Sequence, residues 1–186
     1  MNFCFKCKIL QDVLALLLGL DNSGKTSLLY QWRLHELVTA IPTIGFNVES
    51  IRRKKLSVHI WDVGGQQKIR KLWKHHLLYI NVILFVLDST DRNFSRIQEA
   101  KSELNKLLMH EDLIDVPFLI LFNKSDLEIS FTDEEIFDEF DFRIRETEIK
   151  TNSVHKVKVM RTSAPNSENL TEILNWIEFV TKKKQK

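Results

Sequence analysis

The string GLDNSGKT, residues 19–26, constrains this chain more than any other stretch. It follows directly on an apolar run at 13–18, and it holds two of the chain's five glycines beside a lysine. The run has strand length and reads as a strand buried on both faces. A G-x-x-x-x-G-K-T string between such a strand and a helix is a phosphate-binding loop. Backbone N–H groups must converge there on an anion, in conformations and at distances that side chains would block. Gly19 and Gly24 permit this, with Leu20, Asp21, Asn22 and Ser23 between them. The helix starting near Lys25 aims its positive end at the anion, and Ser27 lies in its first turn. Lys25 reaches the outer phosphates, and the Thr26 hydroxyl can bind Mg²⁺. The motif implies a nucleoside triphosphate with magnesium. It leaves open the base, and whether the chain is a kinase or a switch.

The rest of the chain alternates strands and helices. A helix is expected at 25–36, and paired strands at 46–52 and 55–61, joined by a short charged turn, RRKK. Apolar runs at 82–87 and 118–122 read as further buried strands. Between them Phe94, Ile97, Ala100, Leu104 and Leu107 recur at helical spacing, with Asp91 as the expected N-cap. A last strand at 157–160 precedes an amphipathic helix carrying Leu170, Ile173, Leu174, Ile177 and Val180. This pattern predicts one α/β domain. Its sheet is doubly wound, six-stranded and mostly parallel, with one antiparallel strand and helices on both faces. Ligands of such sheets bind at the carboxyl ends of the strands. The expected division is a leader at 1–11, the nucleotide-binding domain at 12–183 and a basic tail at 184–186.

Two further motifs fall at strand ends. In WDVGGQ, Asp62 is placed to hold magnesium, directly or through water. Gly65 can bring its N–H against a γ-phosphate, and Gln66 is positioned to orient an attacking water, the catalytic role expected of it. NKSD follows the strand at 118–122, and Asn123, Lys124 and Asp126 fit a guanine site. The Asp126 carboxylate can accept from the guanine N1–H and 2-amino group. Adenine lacks both donors in that arrangement and would leave the carboxylate unpaired. The Lys124 stem can lie along the base, and TSAP supplies the Ser163 and Ala164 N–H groups for the guanine O6. Against these motifs stand two other classes: a P-loop kinase using ATP, and a non-hydrolysing module that holds GTP permanently. NKSD speaks against the first and Gln66 against the second.

In this order, the phosphate loop, IPTIGFNVES, WDVGGQQKIRKLW, NKSD and TSA resemble the Ras-like small GTPases, and more narrowly the Arf and Arf-like family. The likeness runs from about residue 13 to residue 180. It implies a small GTP-binding switch, cycling between GDP and GTP with slow Mg²⁺-dependent hydrolysis stimulated by a partner. It implies that Thr43 joins Thr26 and Asp62 around magnesium, and that 41–49 and 64–76 are the two switch segments. It also implies an exchange factor, a GTPase-activating protein and effectors that read Ile44, Phe46, Trp61, Leu72 and His76. His76 stands where the family carries a third aromatic ring. A hairpin that slides in register to displace an N-terminal helix, and a role in membrane traffic, are likewise implied by the resemblance.

A net charge of +2 gives no ground for a nucleic-acid partner, and a monomer is expected. Residues 128–141 hold seven acids and no base, which reads as a solvated helix face. Two cysteines, Cys4 and Cys7, exclude a disulfide framework and fit a reducing compartment, so a cytoplasmic location is expected. No apolar stretch approaches the roughly 18 residues that span a bilayer. Residue 2 is asparagine, which closes the myristoylation route. A leader docked on the domain is expected, and acylation of Cys4 or Cys7, a substitute anchor for peripheral membrane contact, is the alternative reading. Asn22 and Ser23 replace two alanines usual in the family, Lys71 replaces a proline, and 142–156 reads as a surface insertion.

Overall fold

The computed structural model describes residues 11–36, 41–140, 157–166 and 169–182. The expected insertion, the basic tail and both cysteines lie outside the described residues. In chain order the elements are β1 (Gln11–Leu18), α1 (Lys25–Leu34), β2 (Phe46–Arg53), β3 (Leu56–Val63) and a 3₁₀ segment (Arg70–His76). Then come β4 (Val82–Asp88), α2 (Phe94–Leu108), a 3₁₀ turn (Glu111–Leu113), β5 (Phe118–Asn123), α3 (Asp133–Glu139), β6 (Val157–Arg161) and α4 (Leu170–Thr181).

The six strands form one sheet in the order β2-β3-β1-β4-β5-β6. Only the β2–β3 pair is antiparallel, as the hairpin pattern predicts. Each face of the sheet carries its own core. Leu16 and Leu18 of β1 join α2 residues Ile97, Ala100, Leu104 and Leu107 on one side. Val13, Ala15 and Leu17 join Leu28, Leu29 and Trp32 of α1 and Ile173, Leu174 and Ile177 of α4 on the other. Alternate residues of a strand point to opposite faces, so a strand covered on both must be apolar throughout. Strands β4 and β5 meet that condition, and no apolar residue in them is more than slightly exposed. Burying side chains of this kind contributes roughly 1.5–3 kcal/mol each.

Register then sets the level at which the motifs sit. Asp62 pairs with Leu17, close to the end of β1, and Asp88 pairs with Asn123 at the ends of β4 and β5. The phosphate loop, WDVGGQ and NKSD therefore open on the same edge of the sheet.

The local readings need three amendments. Helix α2 is capped by Asn93, not Asp91: the Asn93 Oδ1 accepts from the N–H groups of Ser95 and Arg96. The Asp91 carboxylate sits too far upstream to cap and instead accepts from the Asn93 N–H and Arg96 Nε. The charged turn is shorter than RRKK, because Arg52 and Arg53 complete β2, with Arg53 paired to Leu56, and Lys54 takes a left-handed conformation at φ 52°. The acidic run is also more than a solvated face. Thr132 and Glu135 form a reciprocal capping box, which places Asp133, Glu134 and Glu135 in the first turn of α3, against its positive end. Among the described residues, no helix is long and apolar enough to cross a membrane.

Candidate functional site

The loop after β1 is shaped by backbone that only small or permissive residues adopt. Gly24 has φ 85° and a Cβ there would run into the Asn123 amide. A Cβ on Gly19, at φ 140°, would strike the Val86 carbonyl. Asn22 is left-handed as well, at φ 63°. Gly24 is the N-cap of α1, and no side chain caps the helix. The first-turn N–H groups of α1 are thus left for an anion.

Lys25 follows the loop with its side chain folded back into it. Its Nζ donates to the Gly19 carbonyl at 3.0 Å and the Leu20 carbonyl at 2.8 Å. Burial pushes this ammonium down to about 8, partly offset by the Asp62 and Asp21 carboxylates. A cation held on carbonyls in a buried site is completed by an anion such as phosphate. The Ser23 hydroxyl donates to the Leu20 carbonyl at 2.9 Å and is itself buried.

Three oxygen donors from separate segments converge beside it. Thr26 Oγ1 donates to Asp62 Oδ2 at 2.6 Å, and Thr43 Oγ1 lies 3.0 Å from Thr26 Oγ1. The Thr43 hydroxyl, like that of Thr26, also acts on the Asp62 carboxyl by hydrogen bonding. Asp62 is fully buried; burial raises its pKa, against the pull of the Thr26 hydroxyl and the Lys25 charge. Its Oδ1 is buried with no hydrogen-bond partner. An unpaired carboxylate oxygen beside two hydroxyls is a hard-oxygen donor set of the kind that suits Mg²⁺.

Segments 41–49 and 64–76 meet at this point. The Gly64 N–H donates to the Gly45 carbonyl at 2.9 Å, and a Cβ on Gly64 would hit the Thr43 carbonyl. Gly65 lies so close to the backbone of Gly19, Leu20 and Asp21 that no Cβ fits. Together these elements enclose a cleft of about 210 Å³, lined by Asp21, Asn22, Gly24, Lys25, Thr26 and Ser27 on one side. Thr43, Gly65 and Gln66 line it across from them. Gln66 is exposed, and its carbonyl accepts from the N–H groups of Ile69 and Arg70.

The NKSD segment is tied to the phosphate loop from the other side. Asn123 is buried, and its Nδ2 donates to the Ser23 carbonyl at 2.8 Å. Ser125 Oγ donates to the Thr162 carbonyl at 2.8 Å, which brings Ser163 and Ala164, both buried, to the same loop cluster. Lys124 is left-handed at φ 66° and its ammonium pairs with Asp88. Asp126 is exposed and stands outside the cleft that holds Lys25. The NKSD segment and the loop after β1 are thus distinct parts of the surface, bridged by Asn123.

The surface expected to meet effectors is assembled from β2, β3 and the 3₁₀ segment. The rings of Phe46 and Trp61 stack at 5.3 Å with a 9° tilt, and His76 lies 5.3 Å from each. The imidazole therefore fills the third ring position. Ile44 and Leu72 are exposed nearby in sequence, at 90% and 41%.

Sequence reading missed the residues that hold this arrangement from behind. Arg70 is buried; its Nε donates to the Gly65 carbonyl at 2.7 Å and its Nη2 to Glu99 of α2 at 2.9 Å. Trp73 Nε1 donates to the Gly64 carbonyl at 3.1 Å. Arg96 donates from α2 to the Asp21 carbonyl at 2.8 Å. Arg70 and Trp73 lie within a quoted motif, but nothing in their spacing announces that both fold back onto the glycines.

The comparisons agree with this geometry. The model of the ADP-ribosylation factor family matches residues 4–180. ADP-ribosylation factor K of Dictyostelium discoideum is 41% identical over 169 residues, 90% of this chain and 84% of that protein. ADP-ribosylation factor J of the same organism is 42% identical over 164 residues, 87% of this chain and 81% of that one. Among solved structures, the Arl6 BBS3 small GTPase of Trypanosoma brucei, bound to the nucleotide analogue GppNp, superposes with a TM-score of 0.77 at 27% identity. That match covers 92% of this chain and 98% of the other. With its phosphate loop, its guanine-site motif and a family match over nearly its whole length, the chain belongs to the ADP-ribosylation factor family of small GTPases, guanine-nucleotide switches that hydrolyse GTP.

Proposed function

We propose that this GTPase senses the γ-phosphate through Thr43 and Gly65 and hydrolyses GTP slowly until a partner completes the site. The convergence of Thr26, Thr43 and Asp62 carries the reading, because three segments distant in sequence meet there at hydrogen-bond distance. Thr26, Thr43 and Asp62, the last directly or through water, would hold Mg²⁺. The ion would supply charge neutralisation at the phosphates. The backbone of 19–24 and Lys25 hold the phosphates, Asn123, Lys124, Asp126, Ser163 and Ala164 select guanine, and Gln66 orients the attacking water.

Loss of the γ-phosphate removes the restraint on Thr43 and Gly65 together. The Gly64–Gly45 hydrogen bond and the β2–β3 hairpin couple the two segments, so release of one loosens the other. A partner-supplied arginine is consistent with where the chain's own arginines are held. Arg70 is engaged by Gly65 and Glu99, and Arg96 by Asp21 and Asp91. A finger supplied in trans is worth roughly 10³–10⁵ in rate. Exchange factor, activating protein and effectors are the expected partners of a monomeric switch, with Phe46, Trp61 and His76 as the effector contact. A cytoplasmic protein with peripheral membrane contact, acting in membrane traffic, is proposed from family membership.

Calorimetric titration with GTP, GDP and ATP, with and without Mg²⁺, followed by single-turnover hydrolysis, tests the reading. Tight Mg²⁺-dependent GTP binding, weak ATP binding and slow turnover are expected. Equal affinity for ATP would overturn it.

A further inference from the structure

Strand β6 ends on Arg161, directly before TSA, and Arg161 pairs in register with Phe122, directly before NKSD. Its guanidinium reaches over the loop that follows NKSD. Nη1 donates to the Phe131 carbonyl at 2.7 Å and to Asp133 Oδ1 at 3.1 Å, and Nη2 donates to Ser130 Oγ at 2.9 Å. The Arg161 carbonyl accepts from Asn169 Nδ2 at 2.7 Å, which fixes the strand end in turn. The carbonyl of the next residue, Thr162, accepts from both the N–H and the Oγ of Ser125. Asp126 therefore sits between two ties to this strand end, one at Ser125 and one at Ser130 and Phe131. Between them the chain makes two successive turns, closed by the Leu127 N–H on the Lys124 carbonyl and the Ser130 N–H on the Leu127 carbonyl. Phe131 is anchored from the far side as well. It is buried, its N–H donates to the Ser89 carbonyl, and the Arg92 guanidinium lies 3.8 Å from its ring centroid.

We propose that Arg161 is a positioning residue for guanine selection, holding the Asp126 carboxylate at a fixed separation from the Ser163 and Ala164 N–H groups. The inference rests on the guanine-site reading of NKSD and TSA. There Asp126 meets the N1–H and 2-amino edge of the base while Ser163 and Ala164 meet O6, so both must fit one ring at once. Asp126 is exposed, so the ties of its loop, not packing around the carboxylate, fix its place. The planar guanidinium serves its acceptors in one geometry, which a lysine ammonium does not reproduce. The Asp133 contact is an exposed ion pair of small worth, and the contacts to Ser130 and Phe131 carry the positioning.

Inosine diphosphate keeps N1–H and O6 but lacks the 2-amino group, so it reports one hydrogen bond to Asp126. The full chain is loaded with Mg²⁺ and fluorescent GDP or fluorescent inosine diphosphate, and release is timed after a chase. Arg161→Ala is compared with Arg161→Lys and with Ser130→Ala, which removes one acceptor and leaves the guanidinium. GDP release should speed at least about tenfold in Arg161→Ala and less in the other two. Release of the inosine nucleotide should speed less, so that the preference for GDP narrows at least about threefold. Amide exchange at Leu127 and Ser130 should quicken in the same variant, with single-turnover hydrolysis of bound GTP at the wild-type rate. Equal acceleration of both nucleotides would make Arg161 a structural brace only and overturn the proposal. So would wild-type GDP release in Arg161→Ala, or hydrolysis that falls in parallel. If Arg161→Ala does not fold, Ser130→Ala decides by the same ratio. A wild-type chain that releases GDP, inosine diphosphate and ADP alike defeats the guanine-site reading itself, which separates that failure from this one.

Discussion

At the scale of single residues, the site divides its labour by chemistry. Lys25 is a buried cation on carbonyls, Asp62 a buried carboxylate with one free oxygen, and Gln66 an exposed amide at the cleft mouth. The first two are structural in the sense that burial makes them costly without their ligands. Gln66 is not, so replacing it should spare binding. Gln66→Leu is expected to lower partner-stimulated hydrolysis by at least about 10²-fold with GTP affinity unchanged, measured by single-turnover phosphate release. Stimulated turnover at the wild-type rate would refute the role. Asp126 is exposed before any base arrives, so its substitution costs the fold little. Asp126→Asn exchanges an acceptor pair for an amide that faces the guanine donors with one donor of its own. GTP affinity should drop about 10²–10³-fold with the melting temperature of the free protein unchanged, as read by calorimetry and thermal unfolding.

Elements bring these residues into reach, and segment 64–76 is held mainly by its own side chains. The hydrogen bonds of a 3₁₀ segment have poorer geometry than those of an α-helix, so its backbone alone gives it little stability. Arg70 reaches from it to the Gly65 carbonyl and across to Glu99 and Glu103 of α2, while Trp73 takes the Gly64 carbonyl. These contacts put a strut between α2 and the glycines that face the phosphate loop. Removing the guanidinium leaves a buried carbonyl and two carboxylates without it. Glu99 is a third exposed, so the loss is below that of a fully buried pair. Arg70→Ala should destabilise the chain by about 2 kcal/mol in urea unfolding and speed hydrogen exchange at Gly64 and Gly65. Wild-type exchange at both glycines would remove Arg70 from the coupling. How well the elements could be read in advance followed their burial. The strands β4 and β5 are apolar throughout because both faces are covered, and a run of that kind has few other readings. The α2 cap was harder, since Asp91 and Asn93 are both good caps and only the helix start distinguishes them.

At the scale of the whole molecule, His76 links the ring cluster to overall stability. Burial first, and the neighbouring His75 second, hold its imidazole below the ordinary 6.5 in the folded chain. The unfolded chain then binds a proton more readily than the folded one between those two values. The contribution is complete above pH 6.5 and is lost as pH falls through the folded-state value. His76→Phe keeps a ring against Phe46 and Trp61 and removes the titration. Urea unfolding from pH 7.5 to 5 should show wild type losing stability relative to the variant only below about pH 6.5; parallel profiles throughout would dismiss the effect. By itself the amino-acid order determined the sheet, its single antiparallel edge and the four nucleotide motifs, because apolar periodicity and glycine placement act locally and allow few alternatives. Only the tertiary structure decided that Thr43 meets Thr26 and Asp62 at hydrogen-bond distance and that Arg70 turns back to Gly65. Those are relations between segments far apart in the chain, set by strand order and register, which no local pattern encodes.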